Sequence, residues 1–215
     1  WEGDAATYTG STNVWTNMSA DEDLGLVYLP FGTPTNDFYG GHRPGANLFA
    51  ESLVAVDART GRRAWHYQMV HHDIWDWDVP CASILTDLTV NGRTIKAIAQ
   101  PTKQGWVYVF DRVTGQPVWP IEERPVERGN VPTEWYSPTQ PFPTAPPPFS
   151  KQTFSSDDIN PHPIVSDAER EKFKQRLAAS RNQGLFTPIH FDDTLHIPGS
   201  NGGALFGYTA AEPTN

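Results

Sequence analysis

The densest concentration of reactive side chains is His71-His72-Asp73-Ile74-Trp75-Asp76-Trp77-Asp78, with three carboxylates, two imidazoles and two indoles in eight residues. Carboxylates in such a group can act as general bases, and their oxygens suit hard cations such as Ca2+ or Mg2+. The zinc-helix pattern H-E-x-x-H is absent, as are G-x-S-x-G, G-x-G-x-x-G, a Walker A loop and C-x-x-C. The single cysteine, Cys81, excludes an internal disulfide. Taken alone, the cluster is open between a chemical site and a polar loop anchored by its tryptophans.

The elements that must carry this cluster announce themselves as a repeat. Ala55-Val56-Asp57-Ala58-Arg59-Thr60-Gly61-Arg62-Arg63-Ala64-Trp65 reads A-x-D-x-x-T-G-x-x-x-W, and Val109 to Trp119 repeats its Asp, Thr, Gly and Trp at an offset of 54 residues. Each copy reads as strand, turn, strand: the Asp accepts local backbone N–H bonds and the Gly tolerates positive φ. Leu53–Val56 and Gly105–Phe110 lead into the two turns, and Leu26–Leu29 and Thr94–Ala99 are further strand candidates. Ala204–Tyr208 is a possible start of one more. Repeats of this size built from short strands point to propeller blades rather than to two unrelated hairpins.

Between the repeats and the C-terminal part, residues 121–160 are rich in proline, including Pro146-Pro147-Pro148. Proline at this density opposes both helix and sheet, so this stretch is expected to be an irregular loop. A helical insertion is expected over residues 166–182. Ser166 and Glu169 have capping-box spacing, Phe173 and Leu177 form an apolar i, i+4 pair, and Gly184 marks a stop. The whole chain of 215 residues is expected to be one domain.

Composition narrows the partners. The formal charge of −9 argues against nucleic acid, whose phosphates need a basic surface. No apolar run approaches the roughly 20 residues that span a bilayer. The opening Trp1-Glu2-Gly3, without Met or an apolar leader, fits a chain cut from a longer precursor.

The repeat resembles the tryptophan-docking motif of the PQQ-dependent (quinoprotein) dehydrogenases. Further likeness to their membrane-bound glucose dehydrogenase group lies in Gly10 to Trp15, Met18 to Glu22, Gly25 to Pro30, His71 to Asp76, Ser137 to Phe142 and, more weakly, Gly184 to Pro188 and Pro198-Gly199. The resemblance implies an all-β fold, part of an eight-bladed propeller. At one blade per repeat the chain would supply about four blades. It also implies roles. Trp15 corresponds to the indole floor under the PQQ ring. Asp76 corresponds to the catalytic base and a metal ligand, and Lys103 to the cation that bonds the quinone oxygens. Thr35 falls where relatives place a metal ligand, with Asn36 and Asp37 close by in sequence. Asp73 and Asp78 are then supporting residues.

By the same resemblance the cofactors are PQQ and Ca2+ or Mg2+, and the substrate is an alcohol or sugar. The electron acceptor is a quinone or cytochrome, and the location is periplasmic. The remaining blades, or an oligomer partner, would cover the open sheet edges. The competing reading is a non-catalytic propeller used as a scaffold or binding module; a scaffold has no reason to keep Asp76 and Lys103.

Overall fold

Short β-branched and aromatic runs separated by Asp-x-x-Thr-Gly turns favour antiparallel sheets, and the computed structural model has that architecture. It describes residues 1–160, 163–207 and 209–212. The first sheet contains β1 (Ser19–Asp21), β2 (Leu26–Pro30), β3 (Ser52–Asp57) and β4 (Arg63–Gln68), in that spatial order and antiparallel throughout. The second contains β5 (Ile84–Val90), β6 (Arg93–Pro101) and β7 (Val107–Asp111). An isolated bridge from Phe110 to Pro117 stands where a fourth strand would run. The third is a hairpin of β8 (Ile121–Pro125) and β9 (Thr139–Pro143).

Both copies of the repeat make the same turn. Asp57 Oδ1 accepts from the backbone N–H groups of Arg59 and Thr60, and Asp111 Oδ1 from those of Val113 and Thr114. Gly61 and Gly115 sit at φ +69° and +75°, and each donates its N–H to the carbonyl of its own motif Asp. The copies also touch. Trp65 donates its indole N–H to Arg112 O at 3.1 Å, and its ring covers Gly115, where a Cβ would lie 2.6 Å away. Arg112 adds ion pairs to Asp21 at 2.7 Å and Asp87 at 2.8 Å. The turn of the second sheet is thereby fastened to the first. The core between the sheets holds Tyr28, Leu53, Trp65, Ile98, Trp106, Tyr108 and Phe110, with Leu185 and Phe186 packed in from the C-terminal part.

The partial all-β propeller matches the expectation, but the strands fall into three sheets among the described residues rather than about four blades. The 54-residue spacing does not continue, because the chain beyond Pro143 is laid down as loops and one helix. The stretch 121–160 is also corrected: it contains the β8–β9 hairpin. Proline is accommodated there by register. Pro125, Pro141 and Pro143 all fall in one class of cross-strand pair, opposite Thr139, Glu123 and Ile121. The bonds Val126 N–H to Pro138 O and Thr144 N–H to Pro120 O belong to the other class. The nitrogens of these three strand prolines therefore face away from the partner strand, where a missing N–H costs no ladder bond.

The helix α1 spans Asp167–Ala179 and starts at Ser166, whose side chain accepts from Glu169 N–H while Glu169 bonds back to Ser166. It ends before residue 182 because Ser180 turns to an extended conformation, its N–H closing on Arg176 O and Leu177 O. Residues 204–207 form no strand, and Tyr208 lies outside the described residues. No helix among the described residues is long and apolar enough to cross a membrane.

Candidate active site

β2 and β4 run in the same direction, so their C-terminal ends share one end of the sheet. The segments that follow them, 31–37 and 69–78, meet there. The tight turn after β6, Thr102 to Gly105, joins them; Gly105 N–H closes it on Thr102 O at 3.0 Å and sits at φ +81°. Of the residues singled out in the sequence, Thr35, Asn36, Asp37, Asp73, Asp76, Asp78 and Lys103 lie on these three connections, while Trp15 precedes β1.

Asp73 shapes the central one. It is fully buried, and its Oδ2 accepts from Trp77 N–H at 3.0 Å and from the Thr33 hydroxyl at 2.9 Å, while Oδ1 takes Trp75 N–H at 3.2 Å. This wraps the chain around one carboxylate, with His72 and Asp76 at φ +47° and +59°. Left-handed conformations of that kind cost non-glycine residues of order 1 kcal/mol and persist where surrounding bonds over-determine them. Arg43, also fully buried, braces the turn from the other loop: its guanidinium donates to Asp73 O at 2.6 Å, Asn36 O at 2.8 Å and Asn47 Oδ1 at 2.6 Å.

The turn delivers Asp76 and Asp78 to Lys103. The ammonium is buried and lies 2.6 Å from Asp78 Oδ2 and 3.1 Å from Asp76 Oδ2. Asp78 is further held by Thr33 N–H at 2.7 Å. Asp76 is the more open carboxylate, with a quarter of its side chain exposed. Burial pushes its pKa up, to about 7; Lys103 opposes this and Asp78 adds to it. A carboxyl poised near neutrality in a partly open position fits a general base. Lys103 is shifted upward by its two carboxylates in spite of burial, so it stays a cation.

Trp15 completes the arrangement. Its indole is 38% exposed, and Gly32 lies between its edge and Asp78: a Cβ on Gly32 would stand 2.9 Å from Trp15 Nε1 and 2.3 Å from Asp78 Oδ1. Phe206 is stacked on Trp15 at 5.8 Å and 23°. The segment leading to Phe206 crosses the site, with Gly203 N–H on Lys103 O at 2.8 Å. Trp15, Gly32, Asp78, Lys103 and Asp76 thus form one continuous chain of contacts. A broad indole face beside a buried ammonium suits a planar anionic or quinonoid ring.

Thr35 is placed differently. Its hydroxyl goes to Ser11 Oγ at 2.9 Å, and the threonine that reaches the carboxylates is Thr33. No group of three or more His, Cys, Asp or Glu among the described residues is arranged to hold a metal ion. The donors present therefore do not make a metal shell by themselves.

Sequence reasoning missed Thr33, Arg43 and Glu51. Glu51 is fully buried at φ +43° with neither carboxylate oxygen partnered among the described residues. Burial and then the charge of Asp73 push it well above the ordinary carboxylate range; the nearby Thr33 hydroxyl pulls the other way but is spent on Asp73.

Comparison with known proteins gives this geometry a family. Residues 1–215 match the PQQ glucose/ethanol/alcohol dehydrogenase β-propeller domain, and the chain belongs to that family. It is 38% identical to the quinoprotein glucose dehydrogenase of Escherichia coli K12, over 98% of this chain and 26% of that protein. Identity to the quinate/shikimate dehydrogenase (quinone) of Acinetobacter baylyi is also 38%, over 95% and 25%. For the glycerol dehydrogenase large subunit of Gluconobacter oxydans it is 36%, over 95% and 28%. The chain spans about a quarter of the length of these curated relatives. Among solved structures, the quinohemoprotein alcohol dehydrogenase ADHIIG of Pseudomonas putida HK5 aligns at 32% identity and TM-score 0.51, over 59% of this chain and 20% of that one. That of Comamonas testosteroni aligns at 29% and 0.50, over 63% and 20%.

Proposed function

We propose that this chain is the segment of a PQQ-dependent dehydrogenase that carries the floor and the base of the active site, oxidising an alcohol or sugar. The observation that carries the reading is the Asp76–Lys103–Asp78 triad set beside the partly exposed indole of Trp15, on which Phe206 is also stacked. PQQ, when bound, supplies the two-electron acceptor chemistry. The chain's own residues do the rest. Trp15 offers a flat apolar surface on which a planar ring settles. Lys103 directs fixed positive charge at oxygens that become negative, without reorganising as they do so. Asp76 takes the substrate hydroxyl proton onto a carboxylate oxygen. Asp78 and Thr33 hold the ammonium and its partner in place. The scaffold reading lacks a comparable observation, since a scaffold gains nothing from burying a lysine between two carboxylates.

The Trp65 contact with the next turn fits the family's docking motif in the same reading. A Ca2+ or Mg2+ ion was expected at Asp76 with Thr35, but the Thr35 hydroxyl turns to Ser11. The described residues do not complete a coordination shell for such an ion. Electrons would pass to a quinone or cytochrome, in the periplasm. Blades beyond those described here, or a second copy, would close the ring.

The test is dye-linked oxidation of glucose, glycerol and quinate by a protein that contains this chain and is loaded with PQQ. Asp76→Asn is expected to lower kcat by about a hundredfold or more with PQQ binding retained. Full activity in Asp76→Asn would overturn the assignment of the base.

A further inference from the structure

His72 directly precedes Asp73, the carboxylate around which the acid-bearing turn is wrapped. Its imidazole is sealed in a pair with Glu134: Nε2 lies 3.0 Å from Glu134 Oε1, and the two side chains are 0% and 2% exposed. Glu134 belongs to residues 126–138, which join β8 to β9, so a connection from the third sheet also reaches the site. Backbone groups complete the surroundings of the pair. His72 Nδ1 meets Gly45 O at 2.8 Å. Glu134 Oε1 also accepts from Trp135 N–H at 2.8 Å, and Oε2 from Gly40 N–H at 2.7 Å. The Trp135 ring packs on the imidazole at 4.8 Å and 52°. Gly40 has no room for a side chain: a Cβ there would lie 2.5 Å from His72 Nε2 and 3.1 Å from Arg43 Cζ.

The hydrogen bonds define the charge on the pair. A carbonyl oxygen only accepts, so His72 Nδ1 must carry a proton for Gly45 O. A neutral imidazole would then turn a bare Nε2 toward Glu134 Oε1, lone pair against lone pair. One more proton therefore sits between the two atoms. Two backbone N–H groups already point at the Glu134 oxygens and match a carboxylate that bears charge, which leaves the proton on the ring. The pair is imidazolium and carboxylate. Arg43 stands across Gly40 as a second cation, and Glu134 and Asp73 supply opposing charge there. An amide cannot replace the carboxylate, because its NH2 would face either Gly40 N–H or Trp135 N–H.

We propose that His72 and Glu134 are positioning residues of the active site: their charged pair clamps the β8–β9 connection and the stretch 40–45 onto the turn that carries Asp76. The role toward Asp76 rests on the reading of the site given above. A buried ion pair seldom adds net stability, since desolvation offsets the attraction; what it specifies is which segments meet. Here it holds His72 at φ +47°, one residue before Asp73, whose carboxylate takes the N–H groups of Trp75 and Trp77. Asp76 lies between those two anchored residues. Loss of either partner loosens the backbone on both sides of the base while the sheets stay paired.

The experiment has three arms. The first uses the unaltered chain: a long-range proton–nitrogen NMR spectrum at neutral pH is expected to show His72 protonated on both ring nitrogens, and one bare nitrogen would overturn the charged pair. The second follows amide hydrogen exchange in Glu134→Gln and His72→Gln. Protection of the Trp75 and Trp77 amides should fall about tenfold in each, the loss of one charge-assisted bond, while the amides of β6 stay nearly unchanged. Glu134→Asp, which keeps the charge and shortens the reach, gives the same contrast in milder form if Glu134→Gln does not fold. Equal loss across Trp75, Trp77 and β6 would reduce the pair to general stability, and unchanged protection at the two tryptophans would show that it does not hold the turn; either overturns the proposal. The third arm uses a PQQ-loaded protein that contains this chain, where Glu134→Gln is expected to lower kcat about tenfold with KM within about twofold. An unchanged kcat would overturn the role toward Asp76. The first two arms need no PQQ. Their failure leaves the PQQ reading standing, and failure of PQQ to bind leaves their positive result standing.

Discussion

Lys103 is the residue on which most of the site's electrostatics turn. Its ammonium neutralises two carboxylates that would otherwise repel in a largely buried place. Lys103→Met is expected to destabilise the fold by about 3 kcal/mol at neutral pH, measured by chemical denaturation. The loss should shrink as pH falls through about 7, where Asp76 takes a proton. A second consequence follows from the Asp76 carboxyl alone. Its folded pKa is raised above the unfolded value of 3.8, so the native state holds that proton more tightly than the unfolded chain does. Its contribution is favourable at low pH and is lost as pH rises from about 4 through about 7. Asp76→Asn should therefore raise Tm by a few degrees at pH 8 and leave it nearly unchanged at pH 4. A Tm difference that grows toward low pH would show the opposite sign of shift. Of these groups, Asp76 and Lys103 stand out in sequence only through resemblance to a family; composition alone marks an acidic cluster. Arg43 and Glu51 give no sequence signal of this kind. Each lies on an irregular connection where no periodicity separates buried from exposed, and only the fold reveals that both are sealed inside.

At the scale of elements, the two repeat turns are alike in conformation and different in surroundings, and this separates their energetics. Gly61 and Gly115 both have positive φ, but a Cβ at Gly61 meets nothing within 4 Å whereas one at Gly115 runs into the Trp65 ring at 2.6 Å. Gly61→Ala is expected to cost about 1 kcal/mol for the backbone alone. Gly115→Ala should cost about 3 kcal/mol, close to the range for truncating a buried Trp such as Trp65→Ala. Thermal melts of the three variants check the order, and equal losses at the two glycines would contradict the packing of Trp65 on the second turn. The repeat was legible in sequence because its Asp, Thr, Gly and Trp each do a visible local job. The β8–β9 hairpin was not, because the proline content of 121–160 argues for irregular chain unless the register is known. The pairing that places Pro125, Pro141 and Pro143 in one class of pair is a property of two strands together, and no single-strand pattern displays it. The helix α1 was legible through the side chains of Ser166 and Glu169, while its end at Ser180 follows from the chain turning back so that Arg181 pairs with Thr194.

For the whole molecule, three connections from two sheets meet beside Trp15 and Lys103, where we propose that PQQ is held. Those connections are far apart in sequence, and the four-stranded sheet with its fastened neighbour is what gathers them. On the proposed reading this segment carries the floor and the base together, so cofactor recognition by the segment itself is the most direct check. The measurement is an absorbance and thermal-shift titration of the 215-residue chain with PQQ, run beside Trp15→Ala and Lys103→Met. The account predicts saturable binding that raises Tm and weakens about tenfold or more in each variant. Binding that is indifferent to both substitutions, or no binding by a folded chain, would contradict it.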